Sequence, residues 1–236
     1  MIHTKSYLQG LKSLIGIRSP ALALAASFIA LGAIFKQAGF SLEQSIASSL
    51  FTYALPGQLV MTESYLLGAS LINIFISVWL VNFRFYPMTV ALMPALQHKS
   101  QPRWKYYLSC HFLAVSSWLI MKDGYKKIDK KYRLDYWIGI GSGTLSSAVL
   151  STLFGYLISD YLNNNMMVAL AIVNPVYFLC MMIGAMKNIK TTIAIVIGII
   201  LGPLFYLTIP EWSILIAGIV GGSIAFLIKD KKNGSI

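Results

Sequence analysis

The chain has 236 residues, 57% hydrophobic and only 11% charged, with a formal net charge of +11 and a mean hydropathy of +0.69, far from the half-apolar, quarter-charged make-up of a soluble domain. Several separate apolar runs approach the roughly 20 residues that cross hydrocarbon, more than one soluble core could hide, which excludes a soluble globular protein. The basic excess lies between these runs rather than in a stripe interleaved with aromatics, so a nucleic-acid surface is excluded as well.

Residues 1–19 are polar and mildly basic, and Pro20 suits the first turn of span I over 21–35. A signal peptide is the competing reading, opposed by the long basic lead and the spans that follow. Span II covers 42–67 and is interrupted by Pro56 and Gly57, which remove a helix donor and loosen the backbone. Span III, 71–96, carries Asn82, Arg84 and Pro87 near its centre. Span IV, 106–121, is short and contains His111, Ser116 and Ser117, so it crosses steeply, re-enters or lies in the interface. Spans V (136–157), VI (166–185), VII (191–207) and VIII (212–228) follow, with Asn174-Pro175 and Pro203 as further breaks and residues 229–236 as a basic tail. The connectors are short, so residues 1–236 form one all-α membrane bundle of six to eight segments, some broken or re-entrant.

Lys and Arg concentrate in residues 1–19, 122–135 and the tail, which places all three, and both termini, in the cytoplasm. Eight crossings would leave Lys99, Arg103 and Lys105 outside; six, with II and IV dipping in and returning, put every basic cluster inside. Trp104, Tyr106, Tyr107, Tyr132, Tyr136, Trp137 and Trp212 sit at run ends as interfacial anchors. Gly139 with Gly143, Gly198 with Gly202 and Gly218 with Gly222 have the spacing that lets helices approach closely, within one subunit or in a homo-oligomer.

No metal or cofactor site is expected: His3, His98 and His111 are isolated, and Cys110 and Cys180 each stand alone in an apolar run. No nucleophile with a base and no paired carboxylates suggest an enzyme. Arg84 is the sharpest feature, because a charge at the centre of a spanning helix costs about 2.5–3.5 kcal/mol on insertion scales and must face protein or water. Its planar fork of donors matches a carboxylate, either that of a substrate or that of Glu63 near the end of span II. Pro87 strips a helical bond from a carbonyl three or four residues back, so Asn82 to Pro87 is expected to be partly unwound, as is the chain at Pro56-Gly57. Two such breaks beside one buried cation form a substrate site of Arg84, Asn82, Gln58, Pro56, Gly57 and Tyr86. In an unbroken helix Asn82 and Tyr86 would share a face from which Arg84 points away, a conflict that unwinding relaxes. Paired broken helices build midplane sites in secondary transporters, and the chain has no phosphate-cradling loop.

At these residues the chain resembles the AzlC family, the large subunit of bacterial branched-chain amino-acid exporters. The likeness rests on Lys36-Gln37-Ala38-Gly39-Phe40-Ser41, Pro56-Gly57-Gln58, Gly68-Ala69 and Asn82-Phe83-Arg84, and is strongest over 35–96. Phe85 stands where the family has a His after the Asn-Leu-Arg-like element, and Ser116-Ser117 stand where many relatives carry two acids. If those acids carry protons, coupling here uses Glu63 or another route, or the substrate differs. The resemblance implies export of branched-chain or other hydrophobic amino acids across the cytoplasmic (inner) membrane, with a small AzlD-type membrane subunit as partner. Arg84 would hold the carboxylate, Asn82 and Gln58 the polar end. The alternative is a non-transporting scaffold or accessory subunit, favoured by the missing acids and His.

Overall fold

The computed structural model describes residues 3–15, 20–163, 189–209 and 213–227, with scattered positions between 165 and 183. Spans 166–185, the Asn174-Pro175 break and the 229–236 tail therefore lie outside the continuously described residues. The described residues are helical: α1 (Thr4–Lys12), α2 (Pro20–Gln37), α3 (Leu42–Phe51), α4 (Leu55–Leu66), α5 (Leu71–Asn82), α6 (Phe85–Leu96), α7 (Arg103–Ser109), α8 (Val115–Gly124), α9 (Arg133–Ile158), α10 (Ile189–Thr208) and α11 (Ser213–Leu227). Three stretches, Pro20–Gln37, Lys130–Tyr161 and Ile189–Thr208, are long and apolar enough to cross a membrane, and the bent pair α5–α6 makes a fourth.

The axis of the fold is α9, whose 26 residues give about 39 Å at 1.5 Å per residue, enough to pass the hydrocarbon with a turn or two to spare. It is lined by small residues, so backbones can approach it. A Cβ added at Gly155 would strike the Ile29 carbonyl of α2, and one at Gly32 the Thr152 carbonyl of α9. Lys36 at the end of α2 pairs with Asp160 just beyond α9 at 2.6 Å, so α2 and α9 run parallel. The polar N-terminal segment is itself a helix. Gly10 and Gly139 bring α1 onto the first turns of α9, where Tyr7 Oη meets Ser142 Oγ at 3.0 Å. Gly139 and Gly143 thus pack within the subunit, Gly143 under Leu11 and Leu14, whereas Gly198, Gly202, Gly218 and Gly222 have nothing within 4 Å of an added Cβ.

Span II is a hairpin, not a broken crossing. Ten-residue α3 reaches about 15 Å, half the hydrocarbon thickness. The chain then turns at Tyr53 and Ala54, and α4 comes back until Tyr65 packs on Phe40, ring centroids 4.9 Å apart, beside the start of α3. The break stands at Thr52–Ala54 rather than at Pro56-Gly57, because proline's ring and missing N–H act on the carbonyl four residues back, here Thr52. Pro56 itself sits in the first turn of α4, where no N–H is needed.

Span IV is a second hairpin. Trp137 Nε1 donates to the Ser109 carbonyl at the end of α7 (3.0 Å), Phe112 lies over Gly141, and Gly124 at the end of α8 returns to the Tyr136 hydroxyl. Along α9 the second hairpin therefore spans the first turns, and the first hairpin occupies the last, with Ser49 at Thr152 (2.8 Å) and the Phe40 carbonyl at Tyr156 (3.0 Å). The two enter from opposite faces of the bundle.

Span III is two helices meeting at 41°. The expected unwinding over Asn82–Pro87 is absent: Phe83 and Arg84 keep right-handed helical dihedrals, and Tyr86 N–H donates to the Phe83 carbonyl at 3.0 Å. Pro87 clashes with that same carbonyl, four residues back, and the chain answers by tightening one turn into a kink rather than opening.

Candidate functional site

The hairpin tips meet at the middle of α9. His111 Nε2 donates to the Leu50 carbonyl at 2.8 Å, the Tyr53 and His111 rings lie 6.4 Å apart, and Tyr53 and Ala114 share one apolar cluster with Ala148. Both tips end in extended residues that cap the returning helix, Ala54 before α4 and Ala114 before α8. Tyr53 holds φ = 44°, a left-handed conformation that a bulky residue rarely adopts. It is 2% exposed, and its buried hydroxyl makes no hydrogen bond of good geometry.

Hydroxyl and amide groups brace each hairpin internally. Gln58 Nε2 donates to Ser48 Oγ (3.0 Å) and Ser49 Oγ (3.2 Å), tying α4 to α3, while Gln58 Oε1 is buried without a partner. Ser117 Oγ accepts from Ala114 N–H at 2.9 Å and lies 2.7 Å from the Phe112 carbonyl. Ser117 thus closes the turn of the second hairpin.

The kink of α5–α6 lies against the first hairpin. Gly57, three residues past Ala54, presses on the Asn82 amide: a Cβ there would fall 2.6 Å from Asn82 Nδ2 and 2.8 Å from Oδ1. Asn82 Oδ1 is buried and unpartnered. Arg84 faces a different neighbour. With Leu80, Val81, Phe83, Pro87, Gly218 and Ile219 it lines a cavity of about 340 Å³ between the kink and α11. Its Cζ stands 5.2 Å from the Phe85 ring, and its Nε is buried with no partner. Phe85, found where a family His was expected, therefore offers the guanidinium a ring face instead of a competing polar group.

The residues singled out from sequence thus fall on three surfaces. Arg84 lines the cavity, and Pro87 shapes it. Gly57 and Asn82 form the contact between hairpin and kink, and Gln58 belongs to the hairpin's internal bracing. Tyr86 is 66% exposed, its ring stacked on Phe83 at 5.9 Å. Glu63 is exposed and makes no ion pair with Arg84. Sequence reading missed Tyr53, Ser49, Thr144, Thr152 and the Leu50–His111 contact; small hydroxyl residues recurring inside apolar runs were the available signal.

Membrane-length apolar helices, two opposed hairpins that meet tip to tip and a guanidinium without an ionic partner among the described residues, on a half-open cavity, define the class as a helical membrane protein. The AzlC protein family matches residues 20–162, from the first residue of α2 to just past the end of α9, and the chain belongs to that family. That membership points to a role in membrane transport and covers both hairpins and the kink. Comparison with curated proteins and with solved structures returns no match.

Proposed function

We propose that the protein is a secondary transporter, not an enzyme, that exports branched-chain or other hydrophobic amino acids across the cytoplasmic (inner) membrane. The observation that carries this reading is the Arg84 guanidinium, placed at the kink of a membrane-length helix pair with no carboxylate or carbonyl to satisfy it among the described residues. A half-buried cation in an apolar setting favours a counter-group. The cavity supplies room for one, and its other walls are Leu80, Val81, Phe83, Pro87 and Ile219. One end of such a space takes a carboxylate and the rest takes an aliphatic side chain. Its 340 Å³ fits the lower part of the range of small-molecule sites, about 300–1,000 Å³.

In this reading the chain crosses the membrane six times, with the two hairpins re-entrant from opposite sides, and the face bearing the start of α9 is cytoplasmic. The placement of His3, Ser100–Lys105 and Lys131 around a single cleft supports that arrangement, since it gathers three basic stretches on one side. The tip-to-tip contact of Leu50 and His111 is then the barrier between two aqueous approaches. Asn82 couples the first hairpin to the kink through Gly57, and a small AzlD-type subunit completes the complex.

Proteoliposome counterflow of labelled leucine, with the partner subunit present, tests the assignment. Arg84→Ala should abolish flux, and Arg84→Lys should restore little because it lacks the planar fork. Gly218→Leu, which fills the cavity without touching Arg84, should raise the apparent KM or block uptake. Wild-type flux in a well-expressed Arg84→Ala protein would remove the basis of the proposal.

A further inference from the structure

A second cleft, of about 490 Å³, opens where α1, α7 and α9 converge, remote from the Arg84 cavity. Its walls include His3, Trp104, Lys105, Lys131, Tyr132 and Asp135. Asp135 is 1% exposed in the first turn of α9. One of its oxygens accepts from His3 N–H at 3.2 Å; the other, Oδ1, is buried and has no partner. Neither lysine neutralises it. Lys105 Nζ donates to Gln101 Oε1 at 3.2 Å, Lys131 Nζ lies 5.4 Å from the Tyr132 ring, and the ion pair found among the described residues is Lys36–Asp160. The cleft therefore holds a half-satisfied carboxylate at one place and two ammonium groups at another, with the charges kept apart.

A ligand that satisfies both must carry a hydrogen-bonding cation and an anion a few ångströms apart. The surroundings indicate the source. In α7, Trp104, Tyr107 and Leu108 share one exposed face, spaced three and four residues apart as a helix side requires. Exposed aromatics beside lysines mark the level of the lipid headgroups. We propose that this cleft binds the headgroup of a phospholipid with a primary amine, of the phosphatidylethanolamine type. Its ammonium donates to Asp135, its phosphate lies between Lys105 and Lys131, and its chains follow the apolar face of α7. The site is independent of the transport reading, because no residue of the Arg84 cavity takes part.

The test uses the full chain in lipid nanodiscs or detergent, with native mass spectrometry counting bound lipid while phosphatidylethanolamine, phosphatidylcholine and phosphatidylglycerol are titrated in turn. Phosphatidylethanolamine should bind wild type about tenfold more tightly than phosphatidylcholine, whose quaternary ammonium cannot donate a hydrogen bond, or phosphatidylglycerol, which has no cation. Asp135→Asn should erase that preference and leave phosphatidylglycerol binding intact or stronger. Lys105→Gln with Lys131→Gln, a pair on the rim that spares the fold, should weaken all three lipids. Equal binding of phosphatidylethanolamine and phosphatidylcholine by wild type would overturn the proposal, as would an unchanged preference in Asp135→Asn or undiminished lipid binding in the lysine pair. Free leucine or glycine competing the lipid off wild type at millimolar concentration would reassign the cleft to a soluble zwitterion and overturn the lipid assignment.

Discussion

Replacing Gly57 by Ala places a methyl group 2.6 Å from Asn82 Nδ2 and 3.0 Å from its Cγ, inside the distances that real side chains tolerate. The helix backbone of α4 is braced by Gln58 on Ser48 and Ser49, so the Asn82 amide must swing away or the kink must part from the hairpin. Overpacking of this kind costs about 1–3 kcal/mol, or roughly 2–12 °C in melting midpoint for a chain of this size. Asn82→Ala removes the obstructing atoms. Because Asn82 Oδ1 has no partner, that change should itself cost under about 1 kcal/mol. The double variant should then be more stable than Gly57→Ala alone, giving a coupling energy of about 1–2 kcal/mol in the direction of rescue. Thermal unfolding of the four proteins in detergent, read by a thiol-reactive dye, gives the stability cycle, and leucine counterflow gives the functional one. Stability should be rescued while flux is not, since the proposed link between hairpin and kink is gone. Strict additivity of the melting shifts would show that Gly57 and Asn82 are not in contact and would refute the reasoning.

Tyr53→Phe deletes a buried hydroxyl that makes no hydrogen bond of good geometry and should be neutral or stabilising by up to about 1 kcal/mol, whereas Tyr53→Val, β-branched at φ = 44°, should cost more than about 3 kcal/mol in the same melting assay. Gly155→Leu, which drives a side chain into the Ile29 backbone, should prevent accumulation of folded protein, measured as monodisperse material in size-exclusion chromatography. Lys36→Ala breaks an ion pair whose Asp160 side chain is 70% exposed, and should shift the melting point by no more than about 1 kcal/mol equivalent. Cysteines placed at Ser100 and Lys131 should react with an impermeant maleimide from the same side of the membrane, and one at Asp160 from the opposite side.

The long apolar helices were legible from hydropathy alone. The span read over 136–157 is α9, Arg133–Ile158, and that over 191–207 is α10, Ile189–Thr208, because both are bounded by polar or aromatic residues that stop the apolar run. The hairpins were legible only as one of two alternatives, from the placement of Lys and Arg, since the 26-residue apolar stretch of span II has the same hydropathy whether it crosses or turns back at its middle. What decides is the place where the helix fails, and proline acts on the carbonyl four residues before it. Reading Pro56 and Pro87 in that way moves both breaks upstream, to Thr52 and Phe83, and exposes Tyr53 and Arg84 as the residues beside them. The two prolines nonetheless differ in effect. Thr52–Ala54 opens because α4 reverses direction there, while Phe83–Arg84 stays helical because α6 continues the course of α5. The α1 helix was hidden for another reason: its polar residues suggest a free segment, and only the Gly10–Gly139 approach shows a surface waiting for it.

The bundle holds one seam of backbone against backbone and one contact between hairpin tips. Along α2 and α9, Gly32 and Gly155 bring backbone against backbone with no side chain between them, so relative motion would open voids along the whole interface. The hairpin tips are joined by a hydrogen bond from His111, which is exposed, to the Leu50 carbonyl, worth about 0.5–1.5 kcal/mol net. Under the proposed transport reading this contact is the barrier, and it would part at a cost that substrate binding is able to offset, whereas a buried ion pair in its place would cost about 3–5 kcal/mol to break. Each hairpin is braced within itself, by Gln58 in one and Ser117 in the other, so the tips would separate as units and leave α9 in place. The kink completes the device: through Gly57 and Asn82 it touches the first hairpin on one side, and through Arg84 it meets the cavity on the other. A carboxylate drawn to Arg84 would bear on the same turn of helix that supports the hairpin, which gives occupancy of the cavity a mechanical route to the barrier.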